Sequence, residues 1–222
     1  MLEPRYQKMA LDDVELSADL RLPNNAVGLV VFVHGSGSSR QSPRNQSVAA
    51  YLSRRGLATL LFDLLTEPEQ RLDNLTRELR FDIPLLSRRL VQVIDWIGRN
   101  AELQSLRIGL FGASTGAAAA LLAAAERPEV IHAVVSRGGR TDLAEAALPR
   151  VKAPTLQVVG ALDPVVLKLN DQSSQALQCE QRLEVVAGAT HLFEEAGALE
   201  DVARLAGDWF EQYLTKSSPN RT

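Results

Sequence analysis

The stretch Arg107-Ile-Gly-Leu-Phe-Gly-Ala-Ser-Thr-Gly116 decides the fold, because it predicts a strand, a tight turn and the start of a helix. Residues 107–111 form a short, mostly apolar segment typical of a buried strand, and the alanine-rich segment after Gly116 is typical of a helix. The glycines on either side of Ser114 allow the backbone to turn sharply without Cβ clashes. The turn therefore exposes the Ser114 hydroxyl at the N-terminus of a helix.

This glycine-flanked serine has two interpretations. The G-x-S-x-G pattern between a strand and a helix is the context of a nucleophile elbow, in which the serine attacks a carbonyl carbon. Alternatively, Gly112 and Gly116 only permit close packing of the helix on the sheet, and Ser114 is a helix N-cap. We favour the nucleophile, because its expected partners also occur along the chain.

Hydrophobic patterns on both sides of this stretch predict an open, mostly parallel sheet with helices on both faces. Residues 14–22 alternate between apolar and polar, which predicts a half-buried strand paired with a run around residues 6–11 as an antiparallel N-terminal edge. Continuous apolar runs, typical of strands covered on both faces, follow at 27–33, 57–62, 106–111, 130–135, 155–159 and 183–186. Helical periodicity is clearest at 83–97 and 199–213.

Length and composition predict one domain over residues 1–215, followed by a flexible tail at 216–222. The segment 137–153 is too short for a lid domain.

The formal net charge is −3 without a block of either sign, so nucleic-acid binding is not expected. Cys179 is the single cysteine, so an intrachain disulfide is excluded. The longest apolar run is much shorter than a membrane-spanning helix, and the N-terminal residues do not resemble a secretory signal. We therefore expect a cytoplasmic protein that binds no membrane.

A serine nucleophile requires a base, and the base requires an orienting group. His191 follows the last predicted strand and is the natural base, since His132 lies within a strand run and His34 belongs to another motif. Asp163 follows the strand at 155–159 and is the expected acid, with a helix N-cap before Pro164 as its alternative role. Asp142 is the alternative acid. The chain order Ser114, Asp163, His191 favours Asp163.

The loop His34-Gly-Ser-Gly-Ser-Ser39 follows the strand at 27–33 and is small enough for its backbone to approach a substrate. We expect the N–H groups of Ser36 and Thr115 to form an oxyanion hole. A phosphate-binding loop is disfavoured, because no Gly-Lys-Ser/Thr ending follows and G-x-G-x-x-G does not match.

Taken together, the His-Gly loop, Gly-Ala-Ser-Thr-Gly, Asp163 and His191 resemble those of an α/β-hydrolase. The Gly-Ala-Leu-Asp and Gly-Ala-Thr-His segments are similar to the dienelactone hydrolase group. The resemblance implies a three-layer fold with an eight-stranded sheet and hydrolysis of an ester or lactone. One departure is Ser114, since dienelactone hydrolases proper use cysteine. The group is also similar to hydrolase-like domains that some bacteria fuse to phosphoribosyltransferases.

Four arginines follow predicted strands near this site and suggest an anionic substrate. Arg40 and Arg44 follow the oxyanion loop, and Arg137 and Arg140 follow the run at 130–135. Guanidinium groups bind carboxylates through two parallel hydrogen bonds. Pairing of these arginines with Asp142 or Glu145 on the surface is the alternative.

The sequence thus predicts a serine hydrolase for a small ester or lactone that acts through an acyl-enzyme and needs no cofactor or metal. Acyltransferase, thioesterase or peptidase action on the same triad is the alternative, as is a catalytically silent binding module. The oligomeric state is left open.

Overall fold

A computed structural model describes residues 2–215 and shows one twisted sheet of eight strands in the order β1-β2-β4-β3-β5-β6-β7-β8. The strands are β1 (Arg5–Ala10), β2 (Glu15–Arg21), β3 (Leu29–Val33), β4 (Ala58–Phe62), β5 (Ile108–Ala113), β6 (Ile131–Arg137), β7 (Thr155–Gly160) and β8 (Gln181–Val186). The pairs β1·β2 and β2·β4 are antiparallel, and all other pairs are parallel. The predicted sheet and its antiparallel N-terminal edge are confirmed.

Helices cover both faces of the sheet, so the sheet is the middle of three layers. They are α1 (Pro43–Arg54), α2 (Glu67–Thr76), α3 (Ile83–Arg99), α4 (Thr115–Glu126), α5 (Pro164–Ala176) and α6 (Ala198–Leu214), with 3₁₀ segments at Leu79–Phe81 and Thr141–Arg150. Helices α3 and α4 pack on one face, and α1 and α6 pack on the other. Every residue of β3, β4, β5 and β7 is buried, which explains their continuous apolar runs.

The carboxyl ends of the parallel strands position the predicted catalytic residues. Because β3, β5, β6 and β7 are parallel, their carboxyl ends meet at one edge of the sheet, where ligands bind in open α/β sheets. Strand β5 extends two residues beyond the predicted end, because Ala113 still pairs with Arg137 of β6. The turn at Ser114 therefore begins directly at this edge.

The connection from β6 to β7 is a short 3₁₀ segment packed on α5. Ser173 Oγ donates to Thr141 Oγ1 at 2.7 Å, and Asn170 Nδ2 donates to the carbonyl of Gly139 at 2.8 Å. The predicted tail at 216–222 lies outside the described residues. Within residues 2–215, none of the helices combines the length and the apolar composition that crossing a bilayer requires.

His34 joins the loop after β3 to the loop after β4. Its Nε2 accepts a hydrogen bond from the N–H of Leu64 at 3.1 Å, so Nδ1 carries the proton and donates to the carbonyl of Gly35 at 2.9 Å. Burial lowers the pKa of His34. His34 is therefore a neutral structural residue that holds the start of the predicted oxyanion loop.

This burial makes stability depend on pH. The pKa of His34 is lower in the folded than in the unfolded chain, so its contribution is complete above pH 6.5, the ordinary histidine value, and is lost as pH falls below it. We expect His34→Leu to reduce the free energy of unfolding by about 1–3 kcal/mol at neutral pH, because the N–H of Leu64 loses its acceptor.

The measurement is urea denaturation at about pH 7.5 and about pH 5. The difference in stability between wild type and His34→Leu should shrink at the lower pH. Burial also lowers the pKa of His132, but that residue is common to both proteins and cancels in the comparison. An equal difference at both pH values would contradict a neutral, buried His34.

Candidate active site

Ser114 occupies a strained turn between β5 and α4. Its backbone is left-handed, with φ 51° and ψ −121°, a conformation that is rare for a residue with a side chain. Its N–H donates to the carbonyl of Arg137 at 3.1 Å, and its carbonyl accepts from the N–H of Arg140 at 3.0 Å. The Ser114 hydroxyl makes no capping bond to α4, so the N-cap interpretation does not describe this turn.

Three glycines let this turn approach its neighbours. A Cβ on Gly112 would lie 2.5 Å from Cα of Ala117, and one on Gly116 would collide with the carbonyl of Val33. A Cβ on Gly35 would lie 3.1 Å from Cβ of Ser114, so the loop after β3 passes directly against the serine. The two elbow glycines have ordinary negative φ, and the strain is carried by Ser114 itself. The glycines thus serve close packing, while the serine supplies the sharp turn.

His191 and Asp163 are in direct contact. Nδ1 of His191 lies 2.6 Å from Oδ2 of Asp163, and the Asp163 side chain is 14% exposed. Asp163 stands at the N-cap position of α5, yet its carboxylate makes no capping bond, because it faces the imidazole instead. Asp142, the alternative acid, binds the guanidinium of Arg140 through two hydrogen bonds of 2.8 Å.

The loop that carries His191 is held by hydrogen bonds on one side and by close packing on the other. Glu195 accepts hydrogen bonds from the Thr190 hydroxyl at 2.6 Å and from the Thr190 N–H at 3.1 Å. On the other side, a Cβ on Gly138 would lie 3.4 Å from the imidazole, so the residue following Arg137 touches the histidine. Since the carbonyl of Arg137 also holds Ser114, both predicted catalytic side chains flank residues 137–138.

Ser114 and His191 are not hydrogen-bonded in the part of the chain that the structure describes. In ligand-free enzymes, catalytic hydrogen bonds are often long or poorly aligned, and they tighten when substrate binds. The nitrogen left for such a contact is Nε2, because Nδ1 faces Asp163.

Ser36 and Thr115, the expected oxyanion residues, contact each other. The Ser36 N–H donates to Oγ1 of Thr115 at 2.9 Å, an interaction that the sequence does not reveal. Thr115 is the first residue of α4, where backbone N–H groups lack partners within the helix. The Thr115 N–H can thus meet an oxyanion directly, whereas the Ser36 N–H must share its bond with the threonine hydroxyl.

The arginines expected to bind substrate fall into two groups. Arg40 forms ion pairs with Asp63 at 3.3 Å and with Asp19 at 3.6 Å, and Arg140 is bound to Asp142. Arg140 thus has the predicted alternative partner, while Arg40 is paired with two acids that the sequence did not suggest. For both, pairing describes the structure better than substrate binding. Arg137 is different, because its buried guanidinium has no carboxylate against it among residues 2–215.

Sequence reasoning did not find Glu195, Gly138 or the threonine hydroxyl, because each acts through a contact formed only in the folded chain.

Cys179 is half-buried before β8, and burial raises the pKa of its thiol. It therefore has the character of a structural thiol rather than of a nucleophile.

Comparison with solved structures gives the same fold. The crystal structure of a dienelactone hydrolase from Anabaena variabilis is 54% identical, with a TM-score of 0.93, over 96% of this chain and 99% of that one. A dienelactone hydrolase-like promiscuous phosphotriesterase from metagenomic libraries is 16% identical, with a TM-score of 0.77, over 96% of this chain and 100% of its own. At that identity, the second match shows the fold alone.

Two Mycobacterium tuberculosis proteins, named provisionally as phosphoribosyl transferases, are 51% identical to this chain over 207 residues. The match covers 93% of this chain but 46% of each relative, so the chain spans about half of their length. The model of the dienelactone hydrolase family matches residues 21–214. This match to the family model covers most of the chain and agrees with the strained turn at Ser114. The chain is therefore a member of the dienelactone hydrolase family.

Proposed function

We propose that this protein is a serine hydrolase that cleaves a small carboxylic ester or lactone through Ser114, His191 and Asp163. The observation that carries the proposal is the 2.6 Å contact between His191 Nδ1 and Asp163 Oδ2 at the sheet edge where Ser114 is strained. An aspartate in this position fixes the imidazole tautomer and stabilises the imidazolium that forms during reaction. Membership of a hydrolase family supports the same chemistry.

In the first step, the Ser114 oxygen attacks the carbonyl carbon while its proton passes to Nε2 of His191. The carbonyl oxygen becomes an oxyanion, which hydrogen bonds from the Thr115 and Ser36 N–H groups stabilise. When the intermediate collapses, the carbon–oxygen bond to the leaving group breaks and Nε2 returns the proton to that alcohol. Ser114 is then esterified to the acyl group.

In the second step, His191 takes a proton from a water molecule, whose oxygen attacks the acyl carbon. Collapse of this second intermediate releases the carboxylic acid, and the proton returns to Ser114. Leu162 and Leu192 are exposed on the loops that carry Asp163 and His191, and Val165 is exposed in the first turn of α5. These side chains offer apolar contact to the body of an ester.

The first test is labelling by a serine-directed fluorophosphonate, with the labelled peptide located by mass spectrometry. We expect the label on Ser114 in wild type, no label in Ser114→Ala and strongly reduced labelling in His191→Ala. Asp163→Asn should lower kcat for a nitrophenyl ester by roughly 10²–10⁴, because the wrong imidazole tautomer is then favoured.

The matched control is Asp142→Asn, which removes the other candidate acid while leaving the Asp163 contact in place. A loss in Asp142→Asn as large as that in Asp163→Asn would refute the assignment of the acid. Absence of labelling in folded wild type would favour a catalytically silent binding module.

The contact between Ser36 and Thr115 gives a second prediction. Thr115→Val keeps the shape of the side chain but leaves the Ser36 N–H without its acceptor, so the oxyanion loop loses a fixed position against Ser114. We expect kcat/KM to fall about tenfold and stability to fall by about 1–3 kcal/mol. Thr115→Ser retains the hydroxyl and should stay within about threefold of wild type.

Steady-state kinetics and thermal denaturation of the two variants check this. If Thr115→Val hydrolyses as fast as wild type, the threonine hydroxyl has no role in positioning the oxyanion loop.

A further inference from the structure

Asn170 is a fully buried amide in the middle of α5. Its Nδ2 donates two hydrogen bonds of 2.8 Å, one to the carbonyl of Val166 and one to the carbonyl of Gly139. The first bond lies within α5, where backbone hydrogen bonding already uses that carbonyl. The second ties α5 to the connection that follows β6, 31 residues earlier in the chain.

Packing alone does not account for an asparagine at this position. The Oδ1 of Asn170 is enclosed without a donor among residues 2–215, and a buried polar atom without a partner is unfavourable. Leucine has nearly the same size and would fill the space without an unpaired oxygen. What Asn170 supplies and an apolar side chain does not is the hydrogen bond to Gly139.

The loop held by Asn170, residues 138–140, lies between the predicted nucleophile and the predicted base. The Arg140 N–H donates to the carbonyl of Ser114 at 3.0 Å. Gly138 has a left-handed backbone with φ 53°, and a Cβ there would lie 3.4 Å from both Nδ1 and Cε1 of His191. One end of this loop therefore holds the serine turn, and the other end packs on the imidazole.

The middle residue of the loop is packed between two helices. A Cβ on Gly139 would lie 2.7 Å from Cβ of Ala117 in α4, and the Gly139 carbonyl is bound by Asn170 of α5. Ser114 is the N-cap residue of α4, and Asp163 is the N-cap residue of α5. Residues 138–140 thus separate the helix of the nucleophile from the helix of the acid.

Helix α5 holds the imidazole and the loop from one face. Asn170 follows Asp163 by seven residues, about two helical turns, so both residues stand on the same face. Asp163 contacts Nδ1 of His191 at 2.6 Å, and His191 packs on Gly138. The loop then returns to α5 through Gly139 and Asn170. These contacts form a closed ring that fixes the imidazole relative to the loop.

We propose that Asn170 is a positioning residue for the reaction at Ser114. Its hydrogen bond to Gly139 fixes residues 138–140 and thereby sets the approach of His191 Nε2 to the serine hydroxyl. The inference rests on the proposed function and adds a residue outside the triad. A displacement of about 1 Å caused by a change far from the reacting atoms lowers a rate by up to about 10²-fold, so one distant hydrogen bond is enough to matter.

The kinetic test uses Asn170→Leu, which keeps the volume of the side chain and removes the donor. We expect kcat for nitrophenyl acetate to fall about 10–100-fold while KM stays within about fivefold, because the alignment of Ser114 with His191 changes and the substrate contacts do not. A folded Asn170→Leu variant with the kcat of wild type would overturn the proposal. Asn170→Ala removes the same donor and gives the same comparison if the leucine variant does not fold.

The matched control is Ser174→Ala, one turn further along α5. The Ser174 hydroxyl accepts a hydrogen bond of 2.7 Å from Gln157 of β7, so its loss also removes a polar contact beneath α5. Residues 138–140 are not part of that contact. We expect kcat of Ser174→Ala to stay within about twofold of wild type, and a loss as large as that in Asn170→Leu would contradict a specific role of Asn170.

A double-mutant cycle tests whether Asn170 acts through His191. In the His191→Ala background, Asn170→Leu should lower the residual rate less than about threefold, because no imidazole is left to align. An equal loss in both backgrounds would show that Asn170 acts by another route and would overturn the proposal.

Proton NMR separates this inference from the proposed function. The proton on Nδ1 of His191 is bound by Asp163 and covered by Gly138, so its exchange with water should become at least about tenfold faster in Asn170→Leu and stay unchanged in Ser174→Ala. Fluorophosphonate labelling of wild type, with neither exchange nor kcat altered in Asn170→Leu, would refute only the positioning role. Faster exchange in Asn170→Leu, with no labelling of wild type, would refute only the serine chemistry.

Discussion

The fold depends on one tightly packed turn, in which the chain leaves β5, reverses direction at Ser114 and enters α4. The turn is possible because glycines remove the side chains that would collide with α4 and with the carbonyl of Val33. It persists because the neighbouring strand β6 supplies a carbonyl at Arg137 and the following loop supplies the N–H of Arg140. A left-handed serine costs roughly 1–3 kcal/mol, and the surrounding hydrogen bonds and packing must offset that cost.

Most of the architecture could be predicted from local patterns. Strands buried on both faces leave continuous apolar runs, and a strand with one exposed face alternates. The succession of strands along the chain and the antiparallel N-terminal edge were therefore predictable, whereas the order of the strands within the sheet was not among the predictions. Helix α2 was not among the predicted helices, since only Asp73 of its residues is buried and it has no clear apolar stripe. A capping box between Thr66 and Glu69 marks its start and is the signal that could have found it.

The site was predictable in its residues but not in their contacts. An aspartate before a proline at a helix start suits an N-cap as well as a catalytic acid, and only the fold shows that the Asp163 carboxylate faces His191. The arginines illustrate the same limit. Arg40 meets Asp63 across two different loops, while Arg137 meets no acid in the described chain, and no pattern within 222 residues of one sequence distinguishes them.

The hydrogen bond that the Ser114 N–H donates to the neighbouring strand ends on the backbone carbonyl of residue 137 and not on its side chain. Every amino acid carries the same carbonyl, so the geometry of the serine turn does not depend on which side chain stands there. The guanidinium at this position is thus free to vary while the turn is kept. Position 137 can therefore accept another side chain while the hydrogen bond that holds the serine is kept, so the surroundings of the turn are separable from the turn itself.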